Sequence, residues 1–159
     1  MSAAATESAD GQLRGPVSWT PTGGFSTGTP YRPGSTNLAT HNAQAELADP
    51  DSILAFYTAL LHVRNAHPSI ARGTYVAPRV DGATMSFQRV DATEHTVVVI
   101  NYGETAGSAS LAGLPANARL QRLVGFPANG SAPELAAADD GALAVPAAPL
   151  SVQVFLVSR

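Results

Sequence analysis

Cysteine and lysine are both missing from this 159-residue chain, and all nine of its basic residues are arginines. Without cysteine there is no disulfide framework, no thiolate metal site and no cysteine nucleophile. The arginines stand singly at positions 14, 32, 64, 72, 79, 89, 119, 122 and 159, and the net charge is −3. A surface that tracks phosphates needs clustered cations, so nucleic acid is not an expected partner. Charge is scarce altogether, at 13% against ~25% in typical globular domains. The apolar share of 45% is ordinary, which argues against wholesale disorder. Long hydrophobic runs are missing too. The longest, around Thr96–Ile100, falls far short of the ~20 residues that a membrane helix needs, so no membrane partner is expected. The first twelve residues have neither a basic n-region nor an apolar h-region; no signal peptide is read there, and the cytoplasm is the default location.

What is present falls into three zones. Met1–Leu47 is rich in Gly, Pro, Ser, Thr and Asn, and Gly15-Pro16, Thr20-Pro21, Gly23-Gly24, Thr29-Pro30 and Pro33-Gly34 punctuate it. Residues 1–12 read as a disordered tail. Trp19, Phe25 and Tyr31 mark the remainder as a long loop moulded onto something else, because solvated tails seldom carry large aromatics. The second zone is a helix from about Pro50 to about Ala66. Asp49-Pro50-Asp51-Ser52 supplies an N-cap, a first-turn proline and an acid, while Ile53, Leu54, Tyr57, Leu60 and Leu61 form one apolar face. Pro68 ends it by pushing His67 out of the α region.

The third zone reads as β. Asp81-Gly82 is a turn between strands Thr74–Val80 and Thr84–Val90, with Met85 and Phe87 expected to alternate inward. Thr96–Tyr102 is β-branched on both faces, as a central strand would be. Ser108–Leu111, Leu120–Val124, Leu143–Val145 and Ser151–Val157 complete the set, and Glu134–Ala142 is either a helical turn or a loop turn around Asp139-Asp140-Gly141. Short strands joined by Gly/Pro/Asn turns predict a mainly β chain whose C-terminal part is an antiparallel sandwich.

Site chemistry is sparse. His62 and His67 lie five apart, so they do not share a face as an i, i+4 metal pair would. His41, His62, His67 and His95 read as surface or helix-end residues, and no metal or cofactor is expected. Asp49 and Asp51 are explained by capping, and Asp81, Asp91, Asp139 and Asp140 by turns. Asn129-Gly130-Ser131 has the form of a glycosylation acceptor and reads as a chance match. Glycosidic chemistry needs two carboxyls about 5–9.5 Å apart across a cleft, and no spacing here places such a pair.

One ordered constellation is specific: Arg14-Gly15-Pro16-Val17-Ser18-Trp19, Gly24-Phe25-Ser26-Thr27-Gly28, Pro30-Tyr31, Asn42 and Gln44, then Asp49-Pro50-Asp51-Ser52-Ile53-Leu54 with Tyr57, Leu60, Leu61, Arg64 and His67-Pro68. It resembles the segment after the eighth strand in α-amylases and α-glucosidases of glycoside hydrolase family 13. Gly15 and Val17 stand where that pattern has Thr and Met, and Tyr31 where Trp or Phe is commoner. The following β region, ending Pro149-Leu150-Ser151-Val152-Gln153-Val154, resembles that family's C-terminal sandwich.

The resemblance implies an organisation. Residues 13–70 would be the loop after strand eight and the last helix of a (β/α)8 barrel, and 71–159 the C-terminal β-sandwich domain. The family's catalytic Asp nucleophile, Glu acid/base and second Asp lie on upstream strands and match no position here, so no catalytic residue is assigned and the chain alone is not expected to be active. Arg14, Trp19, Phe25 and Tyr31 are the candidate substrate-binding residues, each with a loop-pinning role as its alternative. The implied partners are an α-glucan or maltooligosaccharide, reached through a parent barrel, and that missing barrel itself. Other readings are a freestanding carbohydrate-binding or structural module, or an inert gene remnant. The stretch Phe25–Tyr31 sits nearer the α-amylase-like members.

Overall fold

The structure is a computed structural model that describes residues 15–128 and 134–158. The expected tail at residues 1–12, Arg14 and Asn129-Gly130-Ser131 lie outside the described residues. Between Ala55 and Phe56 the chain divides into two compact units, a division that falls inside the long helix.

The first unit is a loop closed by helices. Bends and turns lead to helix α1, Ala43–Ala48, and to the start of helix α2, Ile53–Ala66. Helix α2 begins at Ile53, later than the expected Pro50, because Ser52 is the residue that caps it. Ser52 Oγ accepts from the Ala55 amide at 3.0 Å and donates to the Glu46 carbonyl at 2.7 Å. Asp49 instead folds the residues before the cap, its Oδ1 accepting from the Asp51 amide at 2.9 Å. The Glu46 carboxylate accepts from the Leu54 amide at 3.1 Å, so the side chain of one helix satisfies a first-turn amide of the next.

The second unit is an antiparallel β-sandwich with helical cover. Helix α2 stops at Ala66, His67 is extended (φ −113°, ψ 105°), and Pro68 opens a short helix α3, Pro68–Arg72, that the sequence pattern did not foretell. Among the described residues eight strands follow: β1 Thr74–Asp81, β2 Thr84–Val90, β3 His95–Asn101, β4 Gly107–Leu111, β5 Arg119–Phe126, β6 Leu135–Ala136, β7 Leu143–Ala147 and β8 Ser151–Ser158. Six form one sheet in the order β1-β2-β3-β8-β5-β6, and β4 pairs with β7 in a second. Within Glu134–Ala142 the chain holds strand β6 and a turn, with the Ala142 amide donating to Asp140 Oδ1 at 2.9 Å.

The core lies between the two sheets. Phe155 and Val97, cross-strand partners, and Val145 from the facing sheet are fully buried, joined by Val99, Leu111, Leu114 and Leu120. Strand β2 overturns the expected orientation: Thr84, Ser86 and Gln88 are its buried residues, and Met85 and Phe87 are half-buried. The register explains it. Ser86 pairs with Val99 and Gln88 with Val97, so the polar residues share the core face, while Met85 and Phe87 pair with Ile100 and Val98 on the other. Burial of Gln88 is tolerated because its amide is bonded, Nε2 donating to the Ala112 carbonyl at 2.9 Å and Oε1 lying 2.8 Å from His95 Nε2.

The six-stranded sheet therefore has a second apolar face, carrying Met85, Phe87, Val98, Ile100, Val152 and Val154. Helix α2 contributes to its cover through Phe56, whose ring meets Phe126 edge-on at 5.6 Å. At the open edge, β1 is broken by a bulge between Val76 and Arg79, with Ala77 left-handed at φ 49° and Pro78 lacking an amide donor. Both devices discourage pairing with another strand. Phe155→Ala is expected to cost about 3–5 kcal/mol in a denaturant titration; the exposed Val80→Ala on the edge strand should stay within about 0.5 kcal/mol.

Candidate functional site

The loop of the first unit is built around helix α1. Asn42 is its N-cap: Oδ1 accepts from the Ala45 amide at 3.0 Å and Nδ2 donates to the Leu38 carbonyl at 2.9 Å. The remaining amides of the first turn find partners far away in sequence. Ala43 donates to the Ser18 carbonyl at 2.9 Å and Gln44 to the Trp19 carbonyl at 3.1 Å. The unsatisfied donors of a helix end thus fasten the segment that carries Trp19. Beyond Trp19 the chain reverses at Thr20–Gly23, where Gly23 (φ 108°) and Gly24 (φ 79°) take left-handed conformations in succession. Phe25 follows, and Ser26 Oγ accepts from the Gly28 amide at 3.1 Å, turning the loop back towards Pro30-Tyr31.

These turns bring two of the sequence-predicted residues together. Phe25 and Tyr31 line one shallow, open groove of about 480 Å3 with Gly15, Pro16, Pro30 and Arg32. Tyr31 is 97% exposed and Phe25 45%. The Arg32 guanidinium stands 6.0 Å from the Tyr31 ring centroid, at the limit of a cation–π contact. Trp19, 56% exposed, does not line this groove. A groove walled by two ring faces and two prolines, with one guanidinium, can stack on a sugar ring and donate hydrogen bonds to its hydroxyls. Sequence reasoning missed Arg32, because a lone arginine between Tyr31 and Pro33 carries no periodic or motif cue.

A second polar cluster, in the other unit, also escaped it. The Glu94 carboxylate lies 2.6 Å from His67 Nδ1 and accepts from the Ser69 amide at 3.1 Å and Ser69 Oγ at 2.7 Å. Ser69 Oγ in turn lies 3.0 Å from Thr96 Oγ1. Desolvation raises the Glu94 carboxyl, but the hydrogen bonds from His67 and Ser69 outweigh it and hold the group below its ordinary 4.5. The serine and histidine both bond the carboxylate, so this is no nucleophile–base relay, in which the histidine would stand between. Its role is capping. His67 offers no side-chain cap to α3, and Glu94 satisfies that helix from 25 residues away. His67 stands at a helix end, as expected, and bonds Glu94, while His95, expected at the surface, bonds Gln88; burial lowers the pKa of His95 and favours its neutral form.

Other carboxylates serve structure. Asp91 Oδ1 accepts from the Thr93 amide and hydroxyl and from the Glu94 amide, and these bonds, led by the Thr93 amide, lower its pKa. Glu134 pairs with Arg119, and Asp139 accepts from Asn117 Nδ2 at 2.9 Å. Among the described residues no three His, Asp or Glu side chains converge as a metal site would require, and no helix is long and apolar enough to cross a membrane.

Comparison with known proteins places this geometry. Residues 1–73 match the family described as alpha amylase, catalytic domain. The chain is 33% identical over 101 residues to a trehalose-6-phosphate hydrolase of Bacillus subtilis (strain 168), covering 62% of this chain and 18% of the relative. It is 32% identical to an oligo-1,6-glucosidase of Parageobacillus thermoglucosidasius, over 57% of this chain and 17% of that protein. Among solved structures, the trehalulose synthase of Pseudomonas mesoacidophila MX-45 superposes with a TM-score of 0.72 at 23% identity, over 91% of this chain and 25% of that one. The isomaltulose synthase of Klebsiella sp. LX3 gives the same four values. At that identity the structural likeness defines the fold alone; the sequence matches point to the glycoside hydrolase class. Within that class the sequence matches support a fragment of a member of family 13, the family of α-amylases and α-glucosidases. It spans less than a fifth of the length of these curated relatives.

Because Asn42 caps α1, whose Ala43 and Gln44 amides bond the Ser18 and Trp19 carbonyls, Asn42→Ala is expected to cost about 1 kcal/mol of local stability. The readout is faster chymotryptic cleavage at Trp19, Phe25 and Tyr31; unchanged cleavage would show that the loop is held by other contacts.

Proposed function

We propose that this chain supplies the C-terminal part of a family 13 enzyme that hydrolyses α-1,4-glucosidic bonds in α-glucans or maltooligosaccharides. Residues 13–70 act as the loop after the eighth strand and the last helix of a (β/α)8 barrel, and 71–159 as the sandwich that follows. The observation that carries this reading is a coincidence of boundaries. The catalytic-domain match ends at Gly73, and at Thr74 the backbone changes from helix to the antiparallel sandwich.

The groove of Phe25 and Tyr31 then lies on a rim loop, where barrel enzymes build their substrate subsites. Its rings stack on a sugar face, and Arg14 and Trp19 from the same loop complete the substrate-binding set. The chemistry itself belongs to a carboxylate pair on the barrel. In the retaining mechanism one carboxylate attacks the anomeric carbon while an acid protonates the leaving oxygen, and water then releases the glycosyl group. This chain contributes binding, not that pair. Purified chain incubated with maltose, maltotriose and 4-nitrophenyl α-glucoside is expected to release no glucose or nitrophenol above the blank, and turnover would overturn the reading.

The helix supports it from the other side. Tyr57 and Leu61, one turn apart on α2, are 60% and 53% exposed, an apolar flank that a barrel would cover. Burying such side chains contributes ~1.5–3 kcal/mol each. The isolated chain is expected to self-associate at micromolar concentration in light scattering, and the double variant Tyr57→Asp/Leu61→Asp to become monomeric. A wild-type chain that stays monomeric would remove this support.

A further inference from the structure

Several bonds join the helical and β parts of the second unit, and the largest group of them converges on one carboxylate. Glu94 sits on the turn between β2 and β3 and takes hydrogen bonds from His67, at the α2–α3 junction, and from the amide and hydroxyl of Ser69, in the first turn of α3. Ser69 is fully buried and bonded through Thr96 Oγ1 to the middle of the large sheet. The same junction is closed from the far end of α3. The Gly73 amide donates to the Ser69 carbonyl at 2.8 Å, and a Cβ at Gly73 would collide with that carbonyl and with the Val90 carbonyl. Solvent reaches the carboxylate, which borders an open groove of about 560 Å3 with Pro68, Asp91, His95 and Leu156.

We propose that Glu94 is an acid-sensitive latch, whose ionised carboxylate holds the α2–α3 helical pair on the sandwich and whose protonation releases that pair before the sandwich core unfolds. Chemistry singles out the carboxylate. Ionised, it accepts all the donors pointed at it; protonated, it must place a hydrogen against one of them. His67 Nδ1 can donate both as imidazolium and as one neutral tautomer, so its own titration does not by itself break the contact. Of the other charged or titratable groups around the junction, Arg89 also ties α3 to the sheet but keeps its charge on acidification, and the rest have separate tasks. Arg89 of β2 donates to the Ser69 and Ile70 carbonyls at 3.4 Å, Arg72 of α3 acts on Asp91, Asp91 folds the turn, and His95 of β3 bonds Gln88.

The sign follows from the depressed carboxyl. Its contribution is fully present above the ordinary glutamate value of 4.5 and is lost as pH falls through the lower folded value. The released state leaves the Val97–Val99–Phe155 core untouched, because the latch reaches the sheet through Thr96, which points to the opposite side of β3 from Val97.

Amide hydrogen exchange on the full chain, corrected for intrinsic rates, tests this. On acidification below pH 4.5 the α3 amides of Ala71 and Gly73 are expected to lose protection by roughly tenfold per pH unit, while Val97 and Val99 keep theirs. In Glu94→Gln the α3 amides should be weakly protected at every pH, with that acid step gone. Ser69→Ala, which keeps the charge and removes one bond, should move the step to higher pH. Loss of protection at α3 and at the core together, a step that survives in Glu94→Gln, or a Ser69→Ala step at the wild-type pH would each overturn the proposal.

Discussion

A six-stranded sheet with apolar residues on both faces cannot be finished by a two-stranded partner. Much of what distinguishes this chain follows from that constraint. Strands β4 and β7 cover one face and enclose Phe155, Val97 and Val145. The other face, with Met85, Phe87, Val98 and Ile100, needs something else, and helical segments from the N-terminal side provide part of it through Phe56. The helix is thus pulled in two directions. Its Phe56 stripe belongs to the sandwich, while Tyr57 and Leu61 face away.

The polar interactions divide along the same line. In the first unit, the first-turn amides of α1 hold the Ser18–Trp19 segment of the loop in place by backbone bonds. In the second, Glu94 performs for α3 what a local cap normally does, and in doing so ties helix to sheet. Both devices use the same physical need, the unsatisfied donors of a helix start, to bridge long stretches of sequence. That need places a loop in one case and a helical pair in the other.

Much of this was legible in the sequence, and for identifiable reasons. Strands with β-branched runs, such as His95–Asn101, and turns with strong chemistry, such as Asp81-Gly82, appear where the residues predict. The helix C-terminus before Pro68 does as well. Orientation was less legible. Met85 and Phe87 look like core residues by composition, yet cross-strand register puts Ser86 and Gln88 beside Val99 and Val97, and only the bonds to Ala112 and His95 make that affordable. The helix starts at Ile53, because Ser52 caps it and Glu46, in a different helix, completes the cap. Of the candidate site, Phe25 and Tyr31 do share a groove, whereas Arg32, a lone arginine, gave no motif cue, and Glu94 gave none because its partners are 25 and 27 residues away. The family assignment rested on ordered spacing over the loop and helix, which is the portion that the catalytic-domain match covers.

The central claim is that the loop, the groove and the outward side of the helix are completed by a barrel carrying the catalytic carboxylates. The nucleotide sequence on the 5′ side of the Met1 codon tests this most directly. The account predicts that the same frame, or an adjacent gene, encodes a (β/α)8 barrel bearing a family 13 nucleophile and acid/base. If neither encodes such a barrel, the claim is contradicted and the chain must complete these surfaces by itself.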